Sequence, residues 1–201
     1  MFDTDQQAEL NLYIKDSIDQ DTFSQRTTLW SNYYTDYKPL VEFAKKKQIP
    51  FIATNIPKIY ATLVYKGGFE AIQNLVPEEQ QYIVPQPIPF DPELPQYKNI
   101  LTMMEDHGTP ELVKAQAIKD ANMAHFIFKN HEKKSLFLHI NGAYHSDFKE
   151  GILWYLNKLN PEFKTLTIST VEQDSVDKLE TQNINKADFI ICVPSTMIKT
   201  Y

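Results

Sequence analysis

Apolar positions along this chain follow two periods, one helical and one of extended runs. Leu10, Tyr13, Ile14 and Ile18 stand at helical spacing behind Asp3 and Thr4, either of which can cap a helix. Thr4-x-x-Gln7 has the capping-box spacing, so the pattern predicts an amphipathic helix over 4–19. Trp30, Tyr33, Tyr34 and Tyr37 lead into a second helix carrying Pro39, Leu40, Val41, Phe43 and Ala44, and Lys45, Lys46 and Lys47 suit its C-terminal end as a solvated basic turn. Four short, partly β-branched runs, 49–56, 136–140, 166–171 and 189–193, read as buried strands. Helical stretches alternate with most of them. The expected fold class is therefore α/β, a mostly parallel sheet flanked by helices on both faces.

Thr109, Pro110 and Glu111 open the longest helix, with a capping hydroxyl, a proline in the first turn and an acid beside it, and the pattern runs to about Asn130. Regular patterning breaks down before it. Pro85, Pro87, Pro89, Pro92 and Pro95 crowd one short stretch, and only 96–106, with Ile100, Leu101, Met103 and Met104, reads as helix. Residues 77–108 are expected to form a proline-rich helical cap inserted into a single domain over 1–201. Residues 182–188 read as a loop.

Composition narrows the possibilities. The 201 residues carry a formal net charge of −6, which argues against nucleic acid as a partner. The single cysteine, Cys192, lies in the apolar run 189–193 and reads as a buried, inert thiol; one cysteine cannot build an intrachain disulfide. No apolar stretch reaches 18 residues, and the acidic start of the chain lacks the cationic region of a signal peptide.

The candidate chemistry sits in two segments. Gln116, Asp120, Met123 and Ile127 share one face of the long helix, a polar pair followed by apolar residues. The run 136–140 ends in Asn141, Gly142, Ala143, Tyr144 and His145, so a phenol and an imidazole stand where an open sheet would place a site. Histidine can hold a metal, move a proton or pair with a carboxylate, and a deprotonated tyrosine suits ferric iron. His107, beside Gly108, is a further rim candidate. His125 and His131 read as surface or core-packing residues, and His139 as alternating into a helix-covered face. There is no His-Glu-x-x-His, no Gly-x-Ser-x-Gly and no phosphate-binding glycine loop.

Taken in order, Phe2-Asp3-x-x-Gln6-Gln7, Trp30, Tyr37-Lys38-Pro39-Leu40-x-x-Phe43-Ala44, Ile52-Ala53-x-Asn55-Ile56-Pro57, Gln116-x-x-x-Asp120-x-x-Met123-Ala124 and Gly142-x-x-His145 resemble the ChaN-like haem-binding uptake family. The resemblance runs from Met1 to about Leu156. It implies an iron-regulated protein of the cell envelope, periplasmic or an outer-membrane-anchored lipoprotein, that takes part in haem and iron uptake without catalysis. It also implies a homodimer with two stacked haems between its subunits, and an outer-membrane receptor as partner. In the family a tyrosine of one subunit ligates iron while His and Lys of the other meet the propionates. By motif position this gives Tyr37 and Tyr144 as iron ligands, His107 and His145 as propionate or pocket residues, Lys38 as a propionate partner, and Gln116 and Asp120 as pocket wall.

The wider superfamily, which includes Tiki-type metal-dependent proteases, supplies the alternative: a hydrolase in which His145 helps bind a divalent metal and Asp120 orients it. A scaffold that has lost its ligand is a third reading. The family pattern begins with a strand ending in Gly-Glu-x-His, then a helix and a second strand, ahead of the first residues here. The expectation is accordingly that the N-terminal part of the domain is missing from this sequence.

Overall fold

The computed structural model describes residues 2–103 and 108–200. His107 and Met104 lie outside the described residues. A 3-10 turn over Thr4–Gln6 leads directly into α1 (Gln7–Ile14). Its capping box joins Asp3 and Gln6, one residue earlier than Thr4 and Gln7, with the Asp3 N–H donating to Gln6 Oε1 at 3.3 Å. The expected helix to residue 19 stops at Ile14. Asp16 turns left-handed at φ 58°, and Ser17 N–H closes the end on Leu12 O at 2.8 Å. Asp19 then caps α2 (Gln20–Arg26) by accepting from Thr22 N–H at 2.8 Å.

The aromatic run winds as a π-helical turn, Tyr33–Tyr37, into α3 (Lys38–Lys47). Gln48 ends α3 at φ 53°; Lys45 pairs with Asp16 at 2.7 Å and lies over the Tyr13 ring. Around these helices Phe2, Leu10, Tyr13, Phe23, Tyr33 and Val41 form one core, with Tyr13 and Phe23 stacked at 4.6 Å.

A larger core joins α4 (Lys58–Gly67), α7 (Pro110–Asn130) and α8 (Ile152–Leu159) through Ile56, Val64, Ile118, Met123, Ile127 and Leu156. Between α4 and α7 the chain makes α5 (Pro77–Gln80), runs through the prolines, and forms α6 (Pro95–Met103), whose Tyr97 packs on Val113 and Ala117 of α7.

Two strands, β1 (Ile168–Gln173) and β2 (Phe189–Pro194), pair in parallel from Ile168 opposite Phe189 to Gln173 opposite Pro194. This is the one ladder among the described residues; beyond it there is a parallel bridge between Asp3 and Asn55. Helices and a parallel pair are present, as an α/β chain requires; among the described residues the parallel pair is not extended into a larger sheet covered on both faces. Residues 49–56 and 136–140 carry strand-like sequence without a ladder. In 136–140 exposure alternates with period two: Leu136 is 92% and Leu138 76% exposed, while Phe137 and His139 are partly covered. A strand needs a neighbour for its backbone groups, and among the described residues Leu136 to Ile140 make no backbone hydrogen bond. The β pair is also open on one side, with Ile168 and Phe189 exposed. Cys192, on the other face of β2 opposite Val171, is partly exposed, not buried as its apolar run suggested.

Candidate functional site

Helix α7 starts as its sequence predicts, with Thr109 Oγ1 accepting from Leu112 N–H at 3.2 Å and Pro110 in the first turn. Its 3.6-residue period turns Asp120, Met123 and Ile127 inward, and Asp120 is completely buried. What faces that carboxylate is the loop after residue 140. Gly142 precedes a 3-10 turn, Ala143–His145, and a second turn follows over Asp147–Lys149. Phe148 and Lys149 are left-handed at φ 58° and 60°, and Gly151 at φ 53° leads into α8. Consecutive non-glycine residues at positive φ store strain that the surroundings must hold. Here Ser169 Oγ of β1 donates to Asp147 Oδ1 at 2.7 Å, and Glu150 Oε2 accepts from Gln96 N–H at the start of α6, also at 2.7 Å.

The loop thereby lowers His145 onto α7. Its Nδ1 lies 2.5 Å from Asp120 Oδ1 and 2.8 Å from the Gln116 side-chain nitrogen. Tyr97 of α6 donates its hydroxyl to the other carboxylate oxygen, Asp120 Oδ2, at 3.0 Å. Burial pushes the Asp120 carboxyl up, and the hydrogen bonds from His145 and Tyr97 pull it back only in part. Burial, reinforced by the Asp120 charge, raises the Tyr97 phenol far above its ordinary value, so it stays a donor. His145 itself is partly exposed, and its Nε2 has no hydrogen-bond partner among the described residues. Tyr144 beside it is half exposed, its hydroxyl 2.9 Å from Met103 Sδ.

Of the residues singled out in the sequence, then, Gln116, Asp120 and His145 come together, with Tyr144 at the rim. Tyr37 and Lys38 do not join them. Tyr37 stands edge-on to Trp30 at 6.0 Å, on the wall of a cavity of about 580 Å³ that Leu40, Phe51, Leu138 and His139 also line. Lys38 Nζ lies 5.4 Å from the Tyr34 ring centre. His125 and His131 meet aromatic rings, Phe126 and Phe163. Among the described residues no group of three or more His, Cys, Asp or Glu stands close enough to hold a metal ion.

Three residues of this region escaped the sequence reading. Tyr97 lies in a proline-marked stretch with no local sign that its phenol is needed 23 residues away. Asn122, completely buried, accepts from Val84 N–H at 2.7 Å and donates to Thr54 O at 3.0 Å, tying α7 to two loops. Gly151 is explained only by contact: a Cβ there would fall 2.5 Å from His145 O and 3.2 Å from Asp120 Oδ2.

His139 alternates inward as expected, and it makes a testable pH effect. Asn141 uses its amide hydrogens on Gly142 O and Ser146 Oγ, so its oxygen accepts from His139 Nδ1 at 3.1 Å, and His139 Nε2 takes the Thr54 hydroxyl at 2.9 Å. Burial lowers this imidazole from its ordinary 6.5 to about 4. The unfolded chain then takes up the proton first as the pH falls. Its contribution to stability is complete above about pH 6.5 and is lost between there and about pH 4, by roughly 1–3 kcal/mol. His139→Gln should flatten that part of the stability–pH curve; urea midpoints at pH 7.5 and 4.5 for both proteins measure it, and equal slopes would refute it.

The candidate site is thus a loop-borne imidazole, clamped by a buried acid on a helix of an α/β scaffold, beside an exposed phenol. The family model for haem-binding uptake proteins of the Tiki superfamily, ChaN, matches residues 1–156, and the chain belongs to that family. A solved structure described as cofacial haem binding to ChaN of Campylobacter jejuni aligns with a TM-score of 0.63 at 18% identity, over 94% of this chain and 70% of that one. At that identity the likeness concerns the fold. No curated protein matches the chain.

The residues present fit a haem. Nε2 of His145 is open, the Tyr144 phenol is an oxygen donor suited to ferric iron, and Met103 exposes apolar surface beside Tyr144.

Proposed function

We propose that this protein binds haem against the loop carrying Tyr144 and His145 and serves haem or iron uptake at the cell envelope, without catalysing a reaction. Membership of the haem-binding uptake family supports the ligand. The observation that carries the site is the pairing of an exposed phenol with an imidazole fastened by Nδ1 and open at Nε2. In this reading Tyr144 ligates the iron and His145 is a pocket residue that turns Nε2 toward the ligand, with Gln116 beside it on the pocket wall. A homodimer sharing stacked haems, attachment to the envelope as a lipoprotein, and delivery to or from an outer-membrane receptor complete the proposal. Tyr37, Lys38 and His107 remain further haem-binding candidates, Tyr37 with the aromatic cavity wall as its support.

Titration of the purified protein with ferric haem, followed in the Soret region, tests the proposal. A saturable spectral shift is expected; its absence from the wild type would sink it. Tyr144→Phe should remove the tyrosinate charge-transfer bands and weaken binding by about tenfold or more. Tyr37→Phe should leave both in place, and the reverse result would move the ligand to Tyr37.

A further inference from the structure

We infer that Asp120 is a positioning residue that never touches the ligand: it holds His145 by Nδ1, so that Nε2 is the one ring atom offered outward. This rests on the haem reading of the same loop and adds how the imidazole is set for it. Asp120 is completely buried on α7, behind His145 as seen from the surface. Both of its oxygens are used inside the protein, one on Nδ1 at 2.5 Å and the other on the Tyr97 hydroxyl at 3.0 Å. Gly151 closes the space over Oδ2, where even a methyl group would come within 3.2 Å. No part of a ligand has room to reach the carboxylate there.

The partner atoms determine the proton's place. One ring nitrogen cannot donate to Asp120 and also accept from the Gln116 amide. Tyr97 already donates to the carboxylate, whose other oxygen makes the shorter of the two contacts with the ring. The consistent arrangement is Nδ1–H donating to Asp120, with the Gln116 amide turned so that its oxygen faces the same ring edge. An imidazole fixed in this way by a buried carboxylate has its tautomer and its direction chosen before the ligand arrives. The same geometry assigns Gln116 a lesser role, since its removal leaves the Asp120 contact intact.

Two measurements test this. Nitrogen-15 NMR of the ligand-free protein reads which ring nitrogen of His145 carries the proton. The wild type and Gln116→Ala should show Nδ1–H, and Asp120→Asn a mixture of tautomers. An Nε2–H wild type, or an Asp120→Asn protein with the wild-type tautomer, would overturn the assignment. Haem affinity is then compared for Asp120→Asn, His145→Ala and the double variant. Loss of about 2–10-fold is expected for Asp120→Asn in the presence of His145, the worth of one oriented contact to the ligand, and no further loss once His145 is gone, because the two act as one unit. If Asp120→Asn costs the same in both backgrounds, its role is general stability and the inference fails. A wild type that binds no haem sinks the functional reading alone, and the ring-nitrogen spectrum still decides for or against Asp120.

Discussion

Gly151→Ala should cost about 3–5 kcal/mol of stability and disorder the His145 loop with it. Gly151 sits at φ 53° and ψ −118°, a conformation that side-chain-bearing residues rarely adopt. The added methyl would also stand 2.5 Å from the carbonyl oxygen of His145, which is backbone and cannot swing aside. Relief requires the loop to lift from α7, and lifting it breaks the contact between Asp120 and His145. Gly142, on the other side of the same histidine, is the control. Its φ is −67° and the nearest atom to an added Cβ is His145 Cδ2 at 3.9 Å, so alanine fits there. Gly142→Ala should be neutral, or stabilising by roughly 0.4–1 kcal/mol through the unfolded chain. Urea unfolding of the two variants measures the contrast, and equal midpoints would show that the loop is not pressed on the helix as described.

Asn122→Ala should be as damaging, by about 3–5 kcal/mol, for a different reason. The substitution leaves Val84 N–H and Thr54 C=O buried without partners and opens a cavity between them. Each orphaned group loses its water and gains nothing in return. Because Thr54 also donates to His139, the damage should spread toward residues 136–140. Hydrogen exchange would locate it: faster exchange at Val84 is expected, and protection unchanged there would refute the role given to Asn122.

The two glycines show where reading a sequence stops. Gly142 stands out in the sequence because it precedes a tyrosine and a histidine, yet its conformation is ordinary. Gly151 carries no local signal, yet a side chain there would meet the His145 carbonyl. Likewise α7 was legible from Thr109 to Asn130, since capping groups and a helical period are local properties. So was the shared face of Gln116, Asp120, Met123 and Ile127. The end of α1 does not show in the hydrophobic period, because Asp16 turns the backbone left-handed and Asp19 caps the next helix with its side chain. Strand-like runs at 49–56 and 136–140 were recognisable as apolar and β-branched, yet a ladder depends on a neighbouring chain, which no local pattern supplies.

The sequence by itself determined the family, the long helix and the polar stripe on it, and the tyrosine–histidine pair at the end of an apolar run. These follow from residue type and from spacing within a few turns. Tertiary structure decided that Asp120 meets His145, that Tyr97 secures the far oxygen of that carboxylate, and that Tyr37 and Lys38 stand apart from both. Such choices depend on contacts between residues tens of positions apart, made where burial removes water and a hydrogen bond must be found inside the protein.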